Sequence, residues 1–369
     1  MKDPLVIYGG SFDPIHEGHL RIARRARDYF EADVLFVPAY APRWKKPEAS
    51  FAERLTMLRR ALKNEGSPSF AVSEIEGKRE GEVSYTVDTL REMKRLYPGR
   101  DLVLLVGSDE ANSFPRWKEA EEIARLASVY YVPREGVEID ETALRTFNIH
   151  RLEGANPGPV SSSGVRALSC LDVPYPVLNY IVEKKLYFMK KLALYLDERR
   201  LEHSISVASL AYSIALHSRL ERPDLAFQAG LLHDIGKNVG EVGSRDIVSR
   251  EYPAYRDYPG YALHQWVGAY LAKKDFKVLD PEVIEAIAYH CTGKPHMTPL
   301  QKIVYSADKI EPGRGYDSRK LIRSCLSNYY VGFLAVLKAN RAFLKKQGSG
   351  SDNLLTEQCM DLYLGKDRK

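Results

Sequence analysis

Six of the nine histidines fall into two groups, and the neighbours of each group imply a different chemistry. His16 and His19 stand in the string GGSFDPIHEGH, residues 9–19, directly after an apolar run. Gly9 and Gly10 let the backbone approach a phosphate closely. Gly18 begins a helix, and a helix N-terminus attracts anions. Three residues apart on one helical turn, His16 and His19 can face the same phosphate. Two imidazoles that donate hydrogen bonds, one of them able to carry charge, suit phosphoryl-type transfer. That chemistry needs positioning and charge neutralisation more than it needs a protein nucleophile.

The second group is His203, the adjacent pair His233-Asp234, His264 and His290, followed by Asp308. Imidazole combined with carboxylate suits divalent transition metals: iron first, or manganese, cobalt or nickel. Any one of these histidines alone is more often a core or surface residue than a ligand. Their order, H…HD…H…H…D on helical stretches, is what points to a metal cage. Adjacent residues on a helix point about 100° apart, so the His233-Asp234 pair can serve two metals from one turn. His150, His217 and His296 fall outside both groups.

The elements that must position these residues differ between the two halves. In the first half, short apolar runs alternate with amphipathic stretches. Strands are predicted at 5–8, 34–37, 102–106 and 129–132, and helices over 18–30, 53–62 and 86–96. That alternation predicts a Rossmann-like α/β domain, a parallel sheet flanked by helices, with ligands at the carboxyl ends of the strands. Gly9-Gly10, Gly107-Ser108-Asp109 and Pro133-Arg134 each follow a strand and should converge on one crevice. Near Tyr187 to Lys191 the pattern changes. Helices are predicted over 192–219, 224–233, 265–274, 281–291, 300–310 and 321–347, with almost no strand signal. The domains expected are therefore 1–189, α/β, and 190–369, an all-α bundle. Residues 348–351, Gly-Ser-Gly-Ser, read as a short flexible segment.

Composition sets bounds on both halves. A chain of 369 residues is long for one domain. Neither a bilayer-spanning apolar run nor a signal-peptide pattern is present, which predicts a cytoplasmic protein without membrane association. Four widely spaced cysteines without a CxxC fit a reducing compartment. The net charge of +5 is modest, and paired cations such as Arg24-Arg25 read as solvated helix faces, so no nucleic-acid partner is expected. A homo-oligomer is left open.

The string containing His16 and His19 resembles the HxGH signature of the nucleotidyltransferase superfamily. Ser161-Ser162-Ser163-Gly164-Val165-Arg166 resembles its second motif, SSTxxR. On their own the serines read as a helix cap, which leaves Arg166 unexplained. Ser84 to Leu90 (SYTVDTL), Gly107-Ser108-Asp109 and Phe114-Pro115-Arg116-Trp117 narrow the likeness to bacterial nicotinate-nucleotide adenylyltransferases, over about residues 4–188. The resemblance implies adenylyl transfer from ATP to nicotinate mononucleotide, with Mg²⁺, giving the deamido dinucleotide and pyrophosphate. It implies that His16, His19 and Arg166 hold the ATP phosphates, with Gly9, Gly10, Ser11, Phe12, Gly107, Asp109, Ser162 and Ser163 around the nucleotide. Tyr85, Thr86, Trp117 and Arg134 would surround the nicotinate half. Without the family context, core packing explains Trp117 equally well. The chain departs from the family at Pro42-Arg43-Trp44-Lys45, where Trp44 replaces a histidine and Lys45 is kept as a phosphate contact. A pantetheine-phosphate adenylyltransferase is the alternative for this half.

In the second half, RLEHS, LLHDIGK, His290-Cys291-Thr292-Gly293 and Ala307 to Arg314 (ADKIEPGR) resemble the HD superfamily of metal-dependent phosphohydrolases. They are most similar to the bacterial members that split diadenosine tetraphosphate symmetrically into two ADP. That likeness implies two metals bridged by Asp234, one on His203, His233 and Asp308, the other on His264 and His290. Lys237 and Arg314 would offset the polyphosphate charge. A general nucleotidase, a cyclic-dinucleotide phosphodiesterase and a non-catalytic nucleotide-binding module remain alternatives.

Overall fold

In a computed structural model, which describes residues 3–42, 46–78, 83–134, 136–346 and 353–365, the chain forms two compact units. One comprises Met1–Arg166 with Asp172–Tyr187, the other Ala167–Leu171 with Phe188–Lys369. Arg43, Trp44, Lys45, Gln347 and the Gly-Ser segment 348–351 lie outside the described residues.

The first unit runs β1 (Pro4–Gly10), α1 (Glu17–Phe30), β2 (Asp33–Pro38), α2 (Phe51–Glu65), β3 (Phe70–Val72), α3 (Thr86–Leu96), β4 (Asp101–Gly107), α4 (Ser108–Ser113), α5 (Ala120–Leu126), β5 (Ala127–Val132), α6 (Glu141–Phe147), β6 (His150–Arg151), α7 (Ser162–Ala167) and α8 (Tyr175–Glu183). Among the described residues the strands form one sheet in the order β3-β2-β1-β4-β5-β6, and each pairing is parallel. β1 and β4 are apolar on both faces because helices cover both sides of the sheet. Strand order reverses between β1 and β4, so the crevice opens beyond Gly10 and Gly107. β3 and β6 were not anticipated. With three and two residues they are too short to show periodicity.

The second unit is helical: α9 (Phe188–Leu192), α10 (Glu198–His217), α11 (Pro223–Leu232), α12 (Glu241–Glu251), α13 (Leu263–Lys274), α14 (Pro281–Ala288), α15 (Pro299–Ile310), α16 (Arg319–Ser327), α17 (Tyr329–Lys346) and α18 (Leu354–Leu364). Two predicted helices have boundaries set by a capping side chain. The stretch 192–219 becomes helical only from Glu198, where the Asp197 carboxylate accepts the amide of Arg200 at 2.9 Å and starts α10. The stretch 321–347 divides at Asn328, whose side chain accepts the amides of Tyr330 and Val331, both at 3.0 Å. A capping side chain of this kind is worth about 1 kcal/mol, enough to fix a boundary that apolar spacing alone runs across. The predicted helix over 281–291 stops at Ala288 instead. Buried Gln265 accepts the amides of Cys291 at 3.2 Å and Thr292 at 3.3 Å, so the chain leaves the helix without stranding those donors. Helices α9, α12 and α18 were not predicted. Among the described residues, no helix is long and apolar enough to cross a membrane.

Candidate functional site

In the α/β unit, the chain leaves β1 and turns through Phe12, whose φ of 46° lies in the left-handed region. It then enters α1 with His16 at the N-cap. His19 is the third residue of the helix, and its ring lies 3.7 Å from that of His16, centroid to centroid, at 31°. The amide of His16 donates to His19 Nδ1 at 3.2 Å. Nδ1 is therefore the unprotonated nitrogen of a neutral His19, and the proton sits on Nε2. Burial, followed by the charges of Arg21 and Arg134, pushes His16 down to about 3. Burial, then His16 and Arg134, holds His19 well below the ordinary imidazole value. Burial thus favours the neutral form of both rings, in which each can donate a hydrogen bond.

Gly18 makes room for packing. A Cβ there would stand 2.8 Å from the carbonyl oxygen of Pro157 and 2.9 Å from Val160. The segment 157–160 leads into α7, the element carrying the second motif, so α1 and that segment meet at van der Waals distance. Ser161 Oγ accepts the amide of Gly164 at 3.0 Å and caps α7, while Ser163 Oγ lies 3.1 Å from Ser161 Oγ. Ser162 Oγ donates to the carbonyl of Pro14 at 2.9 Å, and Arg166 Nη1 donates to that of Asp13 at 2.6 Å. The two motifs, about 150 residues apart in sequence, are thereby stitched together.

A cleft of about 300 Å³ opens at the carboxyl ends of β1 and β4, lined among others by Gly9, Gly10, Ser11, Tyr85, Thr86 and Trp117. Trp117 is half-buried, its ring 5.2 Å from that of Phe114 and its indole N–H donating to Ser113 Oγ at 3.3 Å. Asp109 pairs with Arg134 at 2.8 Å, half exposed. Both fold over Gly107, where a Cβ would lie 2.7 Å from Asp109 Oδ1 and 2.8 Å from Arg134 Nε. Phe12 is buried beneath His19, ring centroids 5.1 Å apart, and so supports the histidine from below.

In the helical unit, all six proposed metal ligands converge. His203 comes from α10, His233 and Asp234 from the turn after α11, His264 from the first turn of α13, His290 from just past α14 and Asp308 from the last turn of α15. Asp234 is central. Its Oδ1 lies 3.5 Å from His233 Nε2, 3.5 Å from His264 Nε2 and 3.6 Å from His290 Nε2, and its Oδ2 lies 4.0 Å from His203 Nε2. Asp308 Oδ1 lies 3.3 Å from His203 Nε2 and 3.5 Å from His233 Nε2. His203, His233 and Asp308 form one ligand cluster, and His233, Asp234 and His290 another.

The tautomers show what this cluster is built for. The Nδ1 atoms of His233, His264 and His290 each meet a backbone carbonyl at 2.7 Å, those of Gly230, Tyr261 and Ile287. His203 Nδ1 meets the Glu311 carboxylate at 3.1 Å. Carbonyl and carboxylate oxygens only accept, so each Nδ1 carries the proton and each Nε2 turns a lone pair inward. His264 Nε2 and His290 Nε2 then face each other across 3.1 Å. Lone pairs and carboxylate oxygens crowded at such distances repel, and a cation among them resolves the conflict. The donor set fits divalent metal. Burial alone would raise both carboxyls. The imidazoles of His233 and His290 outweigh it at Asp234, and Lys309, His203 and His233 outweigh it at Asp308, holding both far below the usual carboxylate range. Burial pushes His264 down to about 3 and lowers His290, as neutral ligands require. At His233 burial is overcome by the charges of Asp234 and Asp308, so its value rises where no cation stands among them.

Among the described residues, three cations face the cage. Lys237 Nζ lies 3.5 Å from Asp234, Lys309 Nζ lies 2.8 Å from Asp308, and Arg314 donates to the backbone carbonyl of Asp308 at 2.7 Å and to its carboxylate. Gly236 keeps the turn close to α13. A Cβ there would fall 2.3 Å from the carbonyl oxygen of His264.

A cytidylyltransferase-like family model matches residues 7–168, and an HD domain model matches residues 200–313. The probable nicotinate-nucleotide adenylyltransferase/Ap4A hydrolase of Mycoplasma genitalium is 30% identical over 352 residues, covering 92% of this chain and 98% of the relative. Its counterpart in Mycoplasma pneumoniae is 32% identical over 351 residues, covering 92% of this chain and 100% of the relative. The chain belongs to the nicotinate-nucleotide adenylyltransferase/Ap4A hydrolase family. A relative without the fusion, the probable nicotinate-nucleotide adenylyltransferase of Geobacter metallireducens, is 37% identical over 212 residues, 49% of this chain and 96% of the relative.

Several residues that shape the two sites of this adenylyltransferase/hydrolase family member escape sequence reasoning. Asp13 is 1% exposed and accepts the amides of Glu48 at 2.8 Å and Ala49 at 3.1 Å and the phenol of Tyr187 at 2.8 Å. Its carboxylate also lies 3.6 Å from Arg166. Arg54, equally buried, donates to the carbonyls of Ser11 at 2.7 Å, Tyr40 at 3.3 Å and Ala49 at 3.3 Å, clamping the loop after β1. Glu311 and Lys309 stand beside the proposed metal ligands His203 and Asp308. The signals available were Asp13 inside the first motif, and Lys309 and Glu311 inside ADKIEPGR. Arg54 offered none, since it sits in an ordinary amphipathic helix.

Proposed function

We propose that this protein is a bifunctional enzyme acting on adenylated phosphoanhydrides. In the α/β unit it transfers AMP from ATP to nicotinate mononucleotide. A phosphate oxygen of the mononucleotide attacks the α-phosphorus of ATP, the bond from that phosphorus to the bridging oxygen breaks, and pyrophosphate leaves with the displaced electron pair. Neutral His16 and His19 donate hydrogen bonds to the ATP phosphates, His19 through Nε2, and Arg166 supplies the fixed positive charge. Charge on the leaving pyrophosphate is further offset by the Mg²⁺ that accompanies ATP. Gly9, Gly10, Ser11, Gly107, Asp109, Ser162 and Ser163 border the nucleotide, and Tyr85, Thr86, Trp117 and Arg134 the pyridine half. Trp117 offers an aromatic face for stacking.

In the helical unit we infer metal-dependent hydrolysis of diadenosine tetraphosphate into two ADP. His203, His233 and Asp308 would hold one divalent metal and His264 and His290 the other, with Asp234 available to both. The mixed imidazole–carboxylate set suits iron, which we put first, and also manganese, cobalt and nickel. Bound there, the metals supply Lewis acidity that activates water at neutral pH. Lys237, Lys309 and Arg314 neutralise the polyphosphate, and Arg314 can do so with two parallel donors.

The observation that carries the hydrolytic half is the set of four imidazoles with Nδ1 tied down and Nε2 turned inward around Asp234. The adenylyl half rests on the two motifs joined through Asp13, Pro14, Ser162 and Arg166. Chromatography of products from diadenosine tetraphosphate with Mn²⁺, Fe²⁺ or Co²⁺ tests the first. ADP as the sole nucleotide is expected, whereas ATP plus AMP overturns symmetric cleavage. Pyrophosphate release with nicotinate and with nicotinamide mononucleotide tests the second, and equal specificity constants would overturn the nicotinate assignment.

A further inference from the structure

The four imidazoles are not held alike. His233, His264 and His290 give their Nδ1 protons to neutral backbone carbonyls, whereas His203 gives its proton to the Glu311 carboxylate at 3.1 Å. Glu311 is 2% exposed, just beyond the end of α15 and three residues after Asp308. Its second oxygen accepts the amide of Gly313 at 2.6 Å, which leads into Arg314. Arg314 in turn donates to the carbonyl and carboxylate of Asp308. One buried carboxylate therefore orients a ligand ring with one oxygen and, with the other, the loop whose arginine braces a second ligand on the same side of the cage.

A carboxylate behind an imidazole makes Nε2 more basic and adds a negative charge close to the metal, and a carbonyl does neither to the same degree. From this asymmetry we propose that Glu311 is a positioning residue that makes the His203 side the tighter of the two metal positions, so that the His264/His290 side fills last and empties first. The proposal rests on the two-metal reading above. It predicts ordered loading: at limiting metal the protein holds one ion, bound by His203, His233 and Asp308.

The test is Co²⁺ binding to the full chain after chelator treatment, followed by calorimetry and by the visible absorption of bound cobalt. The wild type should bind in two phases. His264→Ala should remove the weaker phase and keep the tighter one. Glu311→Gln keeps an acceptor for His203 but removes the charge, and it should weaken the tighter phase about 10- to 100-fold while leaving the weaker one in place. Unchanged phases in Glu311→Gln, or a shift confined to the weaker phase, would overturn the proposal. Pyrophosphate release reports on the other unit, so far-UV circular dichroism checks that the helical unit of Glu311→Gln is intact. Should that variant unfold, the comparison moves to His203→Ala, which keeps Glu311: it should remove the tighter phase and leave the weaker one, and a loss confined to the weaker phase would refute the proposed order of loading. A wild type that binds no Co²⁺ would instead remove the two-metal reading itself.

Discussion

Lowering the pH should weaken the α/β unit through His16. The ring is 6% exposed and sits beside His19 at 3.7 Å with the charges of Arg21 and Arg134 nearby. Burial is the largest cause that takes it from an ordinary 6.5 down to about 3. A histidine depressed in the fold is protonated first in the unfolded chain, so stability is full above 6.5 and falls as the pH drops toward 3. At about pH 5 the unfolded chain has gained this proton and the fold has not. The difference of about 1.5 pH units corresponds to roughly 2 kcal/mol, on the order of a quarter of a typical domain's stability. Two measurements check this. In protein labelled at histidine Cε1, the His16 resonance, assigned by its loss in His16→Gln, should stay flat from about pH 8 to about pH 5. Hydrogen exchange of the β1 amides, corrected for intrinsic rates, should show the unit losing stability over that range, and losing about 2 kcal/mol less in His16→Gln. A His16 titration centred near the ordinary imidazole value would refute the reasoning, and with it the assignment of His16 as a neutral donor.

Two further perturbations probe the framework around that loop. Arg54→Met keeps much of the side-chain volume but takes a buried donor from three carbonyls; about 3 kcal/mol of stability and most adenylyl transfer should be lost, and an unchanged melting temperature would contradict the clamp. Gly18→Ala gains up to about 1 kcal/mol of helix propensity but drives a methyl to 2.8 Å from the Pro157 carbonyl and 3.0 Å from His16; a net loss of about 1–2 kcal/mol with a raised KM for ATP is expected, and a more stable, fully active variant would rule out the close approach.

Much of this architecture was legible in the sequence because strong local patterns agreed with the fold. β1, β2, β4 and β5 are continuous apolar runs, and α3 begins and ends where its periodicity does. Both candidate sites were legible through short strings: their key residues lie within a few positions of one another, or recur in a fixed order on successive helices. What stayed hidden depends on the third dimension. The helix boundaries at Asp197 and Asn328 turn on one capping side chain each, which apolar spacing overlooks. The network of Asp13, Arg54, Arg166 and Tyr187 joins residues up to 174 positions apart. The charge state of His16 and His19 follows from burial, which a polar motif at a glycine-rich turn does not announce. Glu311 resembles any acid at a helix end until His203 is seen beside it.

The central claim is that one chain carries two separate active sites, and a paired inactivation measures it most directly. His19→Ala and Asp234→Ala are each assayed for pyrophosphate release from ATP with nicotinate mononucleotide and for ADP release from diadenosine tetraphosphate. His19→Ala should lose adenylyl transfer by about 100-fold or more and keep hydrolysis. Asp234→Ala should lose bound metal and hydrolysis and keep adenylyl transfer. Loss of both activities in either well-folded variant, or loss of neither, would contradict the account.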